Sequence, residues 1–143
     1  LAHSLQRPVL VSKGSSPYKH ILVPFNGSLQ SELGLAAAMD LAKQTQSEVT
    51  VALVWEPAFL HSYEENDWGQ KNMNKARELA HIHKAKLVEI VREGNPVKEL
   101  VDLAKDYDLM VVGSMKQKKR FLAPHVGELL VRRSPCSALI ITR

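Results

Sequence analysis

A chain of 143 residues has the length of one ordinary domain, which buries about two thirds of the surface its unfolded chain exposes. With 45% hydrophobic and 24% charged residues the composition excludes a disordered or fibrous chain, and Cys136, the only cysteine, excludes an internal disulfide and suits a reducing, cytoplasmic compartment. The formal charge of +4 is modest and gathers locally at Lys116 to Arg120, while no apolar run approaches the roughly 18 residues of a membrane span and no export signal is visible.

The first segment to read is "SLQRPVLV", Ser4 to Val11, which lays without gaps on "SPCSALII", Ser134 to Ile141. Serine begins each, and a small residue or proline then leads into branched or leucine side chains. On this reading Arg7 to Val11 is the last strand of a preceding domain and Ser12 to Pro17 a linker, so residues 1–17 are terminal strand plus linker and 18–143 the domain proper. The plainer alternative is that any short edge strand has this composition. Either way Arg7 to Val11 is expected to be extended and to pair with Ala138 to Ile141 of the same chain or of a symmetry-related copy, because exposed strand edges need cover. The chain opens on Leu1 and is expected to be a piece of a longer one.

"HILVPF", His20 to Phe25, is a compact apolar run that ends in Asn26-Gly27-Ser28, the chemistry that stops a strand and caps a helix. From Leu29 to about Thr45 the spacing predicts a helix with Leu33, Ala36, Ala37 and Leu41 as its buried stripe. "EVTVALVW", Glu48 to Trp55, reads as a strand buried on both faces. Ala58 to Gly69 mixes aromatic and acidic residues and reads as a loop or short irregular helix, followed by a helix from Lys71 to about His83 on a thin stripe of Met73, Ala76 and Ala80.

"KLVEIV", Lys86 to Val91, is the next strand, and "REGNP" is a turn whose Pro96 fits a first helical position. Val97, Leu100, Val101 and Ala104 then recur at helical spacing. Asp108 to Val112 is a further strand opening on Gly113-Ser114, Val126 to about Arg133 a short helix, and "ALIITR" the last strand. Strands separated by helical stretches imply an α/β fold: a five-stranded, mainly parallel sheet with helices on both faces, plus an extra N-terminal edge strand.

Catalytic chemistry finds little footing. Six histidines show no metal-ligand spacing, His81 and His83 diverge on a helix, and Cys136 stands in an apolar phrase where packing is its expected role. Glu64, Glu65 and Asp67 read as an acidic loop, and the one basic stretch lacks the interleaved aromatics of a nucleic-acid surface.

Three phrases, "YKHILVPFNGS", "VREGNPVKELVDLAKDYDLMVVGS" and "SPCSALII", in this order and spacing over nearly all of Tyr18 to Arg143, resemble the universal stress protein family. The resemblance implies dimerisation through the last strand, here Ala138, Leu139, Ile140 and Ile141, with a second copy or another such domain of one parent chain. It also implies tandem arrays and cytosolic tails of membrane transporters, and, in one branch, binding of ATP or a related nucleotide accompanied by magnesium. The nucleotide residues would be Asn26, Val54, Gly94, Gly113 and Ser114, with Lys116, Lys118, Arg120 and His125 on the loop that follows.

The family pattern is broken at three of these places. Asn26 replaces an aspartate, Lys116 replaces a loop glycine, and Pro124-His125 or Val126-Gly127, depending on alignment, fall where a glycine and a hydroxyl residue belong. Lysine on that loop obstructs the turn that lets backbone amides face phosphate, although Lys118 and Arg120 still attract it as charges. The expectation is therefore a non-catalytic regulatory and dimerisation module without a cofactor, the alternative being an adenine-nucleotide module with a degenerate phosphate loop.

Overall fold

The computed structural model describes residues 8–13, 18–56, 62–114 and 126–142. In chain order these form β1 (Val9–Val11), β2 (His20–Pro24), α1 (Leu29–Thr45), β3 (Glu48–Trp55), α2 (Ser62–Ile82), β4 (Leu87–Glu93), α3 (Pro96–Ala104), β5 (Leu109–Ser114), α4 (Val126–Arg133) and β6 (Ser137–Thr142). The six strands make one sheet in the order β1-β6-β5-β2-β3-β4. All neighbours run parallel except β1, which pairs antiparallel with β6 through Val9↔Ile140, Leu10↔Leu139 and Val11↔Ala138. The expected five-stranded parallel sheet and its extra edge strand are both present. Arg7 lies outside the described residues.

Side-chain alternation along the strands divides the core in two. Ile21, Val23, Val49, Val51, Leu53, Leu109 and Val111 face α1 and α2, whereas Leu22, Ala52, Val54, Met110, Val112 and Ala138 face α3 and α4. Burial on both faces explains why β3 reads as an uninterrupted apolar run rather than an alternating one.

Two expectations need correction. The buried stripe of α1 is Ser31, Gly34, Leu35, Ala38, Met39 and Ala42, one position away from the predicted stripe, and Leu33, Ala36, Ala37 and Leu41 are only partly buried. Leu33 to Met39 is apolar at every position, so periodicity alone cannot select the face. Contact with β5 selects it: a Cβ on Gly34 would stand 2.7 Å from the main-chain nitrogen of Gly113, so this helix approaches the sheet at backbone distance. The second correction is that Ser62 to Gly69 is helical and belongs to the 21-residue α2. Residues 58–61 lie outside the described residues.

The second half follows expectation closely. Asn95 caps α3, its side chain accepting from the Lys98 amide at 3.1 Å, with Pro96 in the first turn. Leu100, Leu103 and Ala104 are buried beneath it. Across the far edge, Arg77 of α2 grips Glu89 of β4 with two guanidinium bonds of 2.7 Å.

Candidate functional site

The strand order fixes where a crevice can open. From β2 the chain steps outward through β3 to β4, then returns to the other side of β2 for β5 and β6. Adjacent connections therefore leave the sheet in opposite directions between β2 and β5, and ligands of open α/β sheets bind outside the carboxyl ends of strands at such a switch. Gly113, Asn26, Val54 and Gly94 stand along that edge at the ends of β5, β2, β3 and β4. Three strand spacings make that row about 14 Å long.

Asn26 is exposed, and its side chain is held locally. Its Oδ1 accepts from the Ser28 amide at 3.0 Å, an Asx turn, and its own amide donates to Ser31 Oγ at 3.3 Å. With Oδ1 engaged in this turn, the side-chain NH2 of the exposed Asn26 forms no hydrogen bond within the described residues and is available as a donor. Ser28 caps α1, its Oγ accepting from the Ser31 amide at 3.2 Å. Gly27 between them has φ +81°, and a Cβ there would fall 1.9 Å from Asn72 Oδ1. Lys75 Nζ donates to the Gly27 carbonyl at 3.4 Å. Asn72 and Lys75 of α2 thus brace the turn from behind, a role that no local pattern around them discloses.

On the other side of the switch, Gly113 is pressed against the first turn of α1: a Cβ there would stand 1.8 Å from the Gln30 carbonyl oxygen. The glycine is needed for this seating. Val54, near the end of β3, is 9% exposed and packs into the α3/α4 core, so only a small apolar edge of it borders the strand ends. Gly94, at φ +143°, donates its amide to the Trp55 carbonyl at 2.8 Å, and Glu99 leans over it. Ser114 closes β5. Gly127, in the first turn of α4, lies over Val112, with Val112 Cγ1 3.1 Å from the place a Cβ would take. Lys116, Lys118, Arg120, Pro124 and His125 lie outside the described residues.

This arrangement supplies hydrogen-bond donors, a helix N-terminus and a small apolar edge. No group of three or more His, Cys, Asp or Glu among the described residues could hold a metal ion. His83 faces Asp40 at 3.1 Å and His20 faces Glu48 at 3.6 Å, with His20 and Glu48 opening β2 and β3 and His83 just before β4, at the amino ends of the strands and away from the crevice. Burial pushes the Cys136 thiol above its ordinary pKa, with a partly offsetting hydrogen bond from Ser134, so it is the reverse of an activated nucleophile. No helix among the described residues is long and apolar enough to cross a membrane.

Comparison with known proteins bears on the same region. The model of the universal stress protein family matches residues 17–142. A Staphylococcus saprophyticus protein bearing that family name is 31% identical over 139 residues, covering 87% of this chain and 83% of its own length. A universal stress protein solved in complex with cAMP is similar over 89% of this chain and 98% of its own, with 25% identity and a TM-score of 0.73. One from Archaeoglobus fulgidus, 17% identical, has a TM-score of 0.77 and matches 99% of this chain over 53% of its own.

Proposed function

This chain belongs to the universal stress protein family, and on that footing we propose that it is a non-catalytic regulatory module whose crevice takes an adenine nucleotide carrying a single phosphate. The observation that carries this reading is the held Asn26 turn at the switch between β2 and β5. An Asx turn fixes the side chain while leaving its NH2 to donate to a ribose hydroxyl or ring nitrogen, Val54 supplies a small apolar edge for the base, and the capped α1 favours negative charge near its N-terminus. The cAMP complex of a relative at 25% identity supports the same ligand class and weighs against the expectation of no cofactor.

A single phosphate suits the sequence better than three, because Lys116 stands where the family's loop glycine would let amides turn around a polyphosphate. Lys118 and Arg120 remain as the cations for one phosphate. Titration calorimetry tests the reading: AMP is expected to bind with Kd of about 10–100 μM, equivalent to about 5.5–6.8 kcal/mol, and ATP no more tightly. Replacing Asn26 with alanine should weaken AMP about five- to ten-fold. The Lys118→Ala/Arg120→Ala pair should cost AMP more than adenosine, and the difference should shrink with salt. Absence of AMP binding at about 1 mM, which corresponds to about 4 kcal/mol, overturns the nucleotide reading.

The setting proposed for the module is the second of two such units in one chain, in the cytoplasm or as the cytosolic portion of a membrane protein. Support comes from Ser4 to Val11, whose resemblance to Ser134 to Ile141 would make β1 the last strand of a preceding copy. Association with a second copy through the β6 side remains the other form of the same proposal. Since β1 already pairs along Ala138, Leu139 and Ile140, such a partner would meet β1 and the half-buried Ile141 rather than a bare β6 edge.

A further inference from the structure

Lys13 follows β1 and reaches across to the end of α4. Its Nζ donates to the carbonyls of Val131 at 2.5 Å, Ser134 at 2.9 Å and Arg132 at 3.2 Å, and its backbone amide donates to Ser137 Oγ at 2.9 Å. The last carbonyls of a helix have no partner within it, and its C-terminus carries partial negative charge. Here both needs are met by an ammonium 118 or more residues away in sequence. Arg132 and Arg133 occupy the same turn but are exposed.

From this we infer that β1 and Lys13 form a strap that positions α4 and, through it, the crevice; the second step rests on the nucleotide reading above. The helix has eight residues and is about 12 Å long. Its C-terminal end is held by Lys13, while Gly127 at its other end lies over Val112, the residue before Gly113. A short helix of this kind has little stability of its own, so its place depends on what holds its two ends and its buried face, here Leu130 and Val131. Because the strap runs from β1 directly into Lys13, displacement of β1 would be felt at α4. Lys13 is a positioning residue, acting from the end of α4 opposite to Gly127.

The test is amide hydrogen exchange on the 143-residue chain and on Lys13→Met and Lys13→Arg, paired with AMP calorimetry. Lys13→Met keeps the apolar stem and removes the charge and donors. Amides of Leu130 to Ser134 should exchange about ten-fold faster in Lys13→Met while those of α3 stay within about two-fold of the parent, and Lys13→Arg should recover most of the protection. AMP affinity should fall about three-fold or more in Lys13→Met with adenosine and AMP affected alike, since the whole wall has loosened. Unchanged exchange in α4 overturns the strap. Faster α4 exchange with unchanged AMP affinity overturns its coupling to the crevice. If the parent binds no AMP, the nucleotide reading and the coupling fall together, and exchange alone still decides whether Lys13 holds the helix.

Discussion

Adding one methyl group at Gly113 probes the contact that orients the α1 side of the fold. An ideal Cβ there stands 1.8 Å from the Gln30 carbonyl oxygen, 2.8 Å from its carbon and 2.9 Å from the Gly34 nitrogen. All three are main-chain atoms, so no side chain can swing aside. Carbon and oxygen meet comfortably at about 3.4 Å, and relief therefore requires the first turns of α1 to retreat by about 1.5 Å. A gap of that size forfeits much of the dispersion contact beneath Leu35, Ala38 and Met39, all fully buried. The expected cost of Gly113→Ala is about 3–4 kcal/mol, at the upper end of overpacking effects. With a urea slope of about 2 kcal/mol/M, the unfolding midpoint should drop by about 1.5–2 M. Gly69→Ala is the control, since nothing lies within 4 Å of its Cβ position in α2; it should raise stability by about 0.5–1 kcal/mol. A Gly113→Ala midpoint within about 0.5 M of the parent would refute the backbone seating of α1 on β5.

Three other outcomes follow from the same geometry. The Arg77 hydrogen bonds hold the Glu89 carboxyl below its usual pKa, against the opposing effect of burial. Because the folded pKa is depressed, this stabilisation is present above the unfolded value of about 4.3 and is lost as pH falls through the folded value. Glu89→Gln should thus lower the unfolding midpoint at about pH 7 and make little difference at about pH 2; equal differences at both would point to lost packing instead. Cys136, 8% exposed and with its pKa raised by burial, should react with a thiol reagent far more slowly in folded protein than in denaturant at about pH 8; equal rates would contradict its placement. Removing residues 1–12 uncovers the β6 edge, so sedimentation should show stronger concentration-dependent association than the parent; a truncated chain that stays as the parent does would show that β1 is no edge cover.

Element order, sheet class and most helix and strand positions were legible in the sequence because each rests on local chemistry. Asn26-Gly27-Ser28 stops one strand and caps one helix, Asn95-Pro96 opens another, and β3 announces its double burial by an unbroken run of apolar residues. The likeness of residues 4–11 to 134–141 anticipated an edge strand beside β6, since both segments have the composition of short strands. The positions of Asn26, Val54, Gly94 and Gly113 at successive strand ends also followed from this order. What the sequence could not decide was set by contacts between distant segments. In a helix apolar at every position from Leu33 to Met39, only the approach of Gly34 to Gly113 selects the buried face. The acidic stretch before Gly69 is helical because it begins α2, and Asn72 and Lys75 become neighbours of Gly27 only when that helix lies beside α1. Lys13 looks like any linker lysine until the sheet brings it to the carbonyls of α4. Local propensity is written residue by residue, whereas the face a helix buries and the partner a side chain meets depend on chain closure over a hundred residues, which no short window of sequence contains.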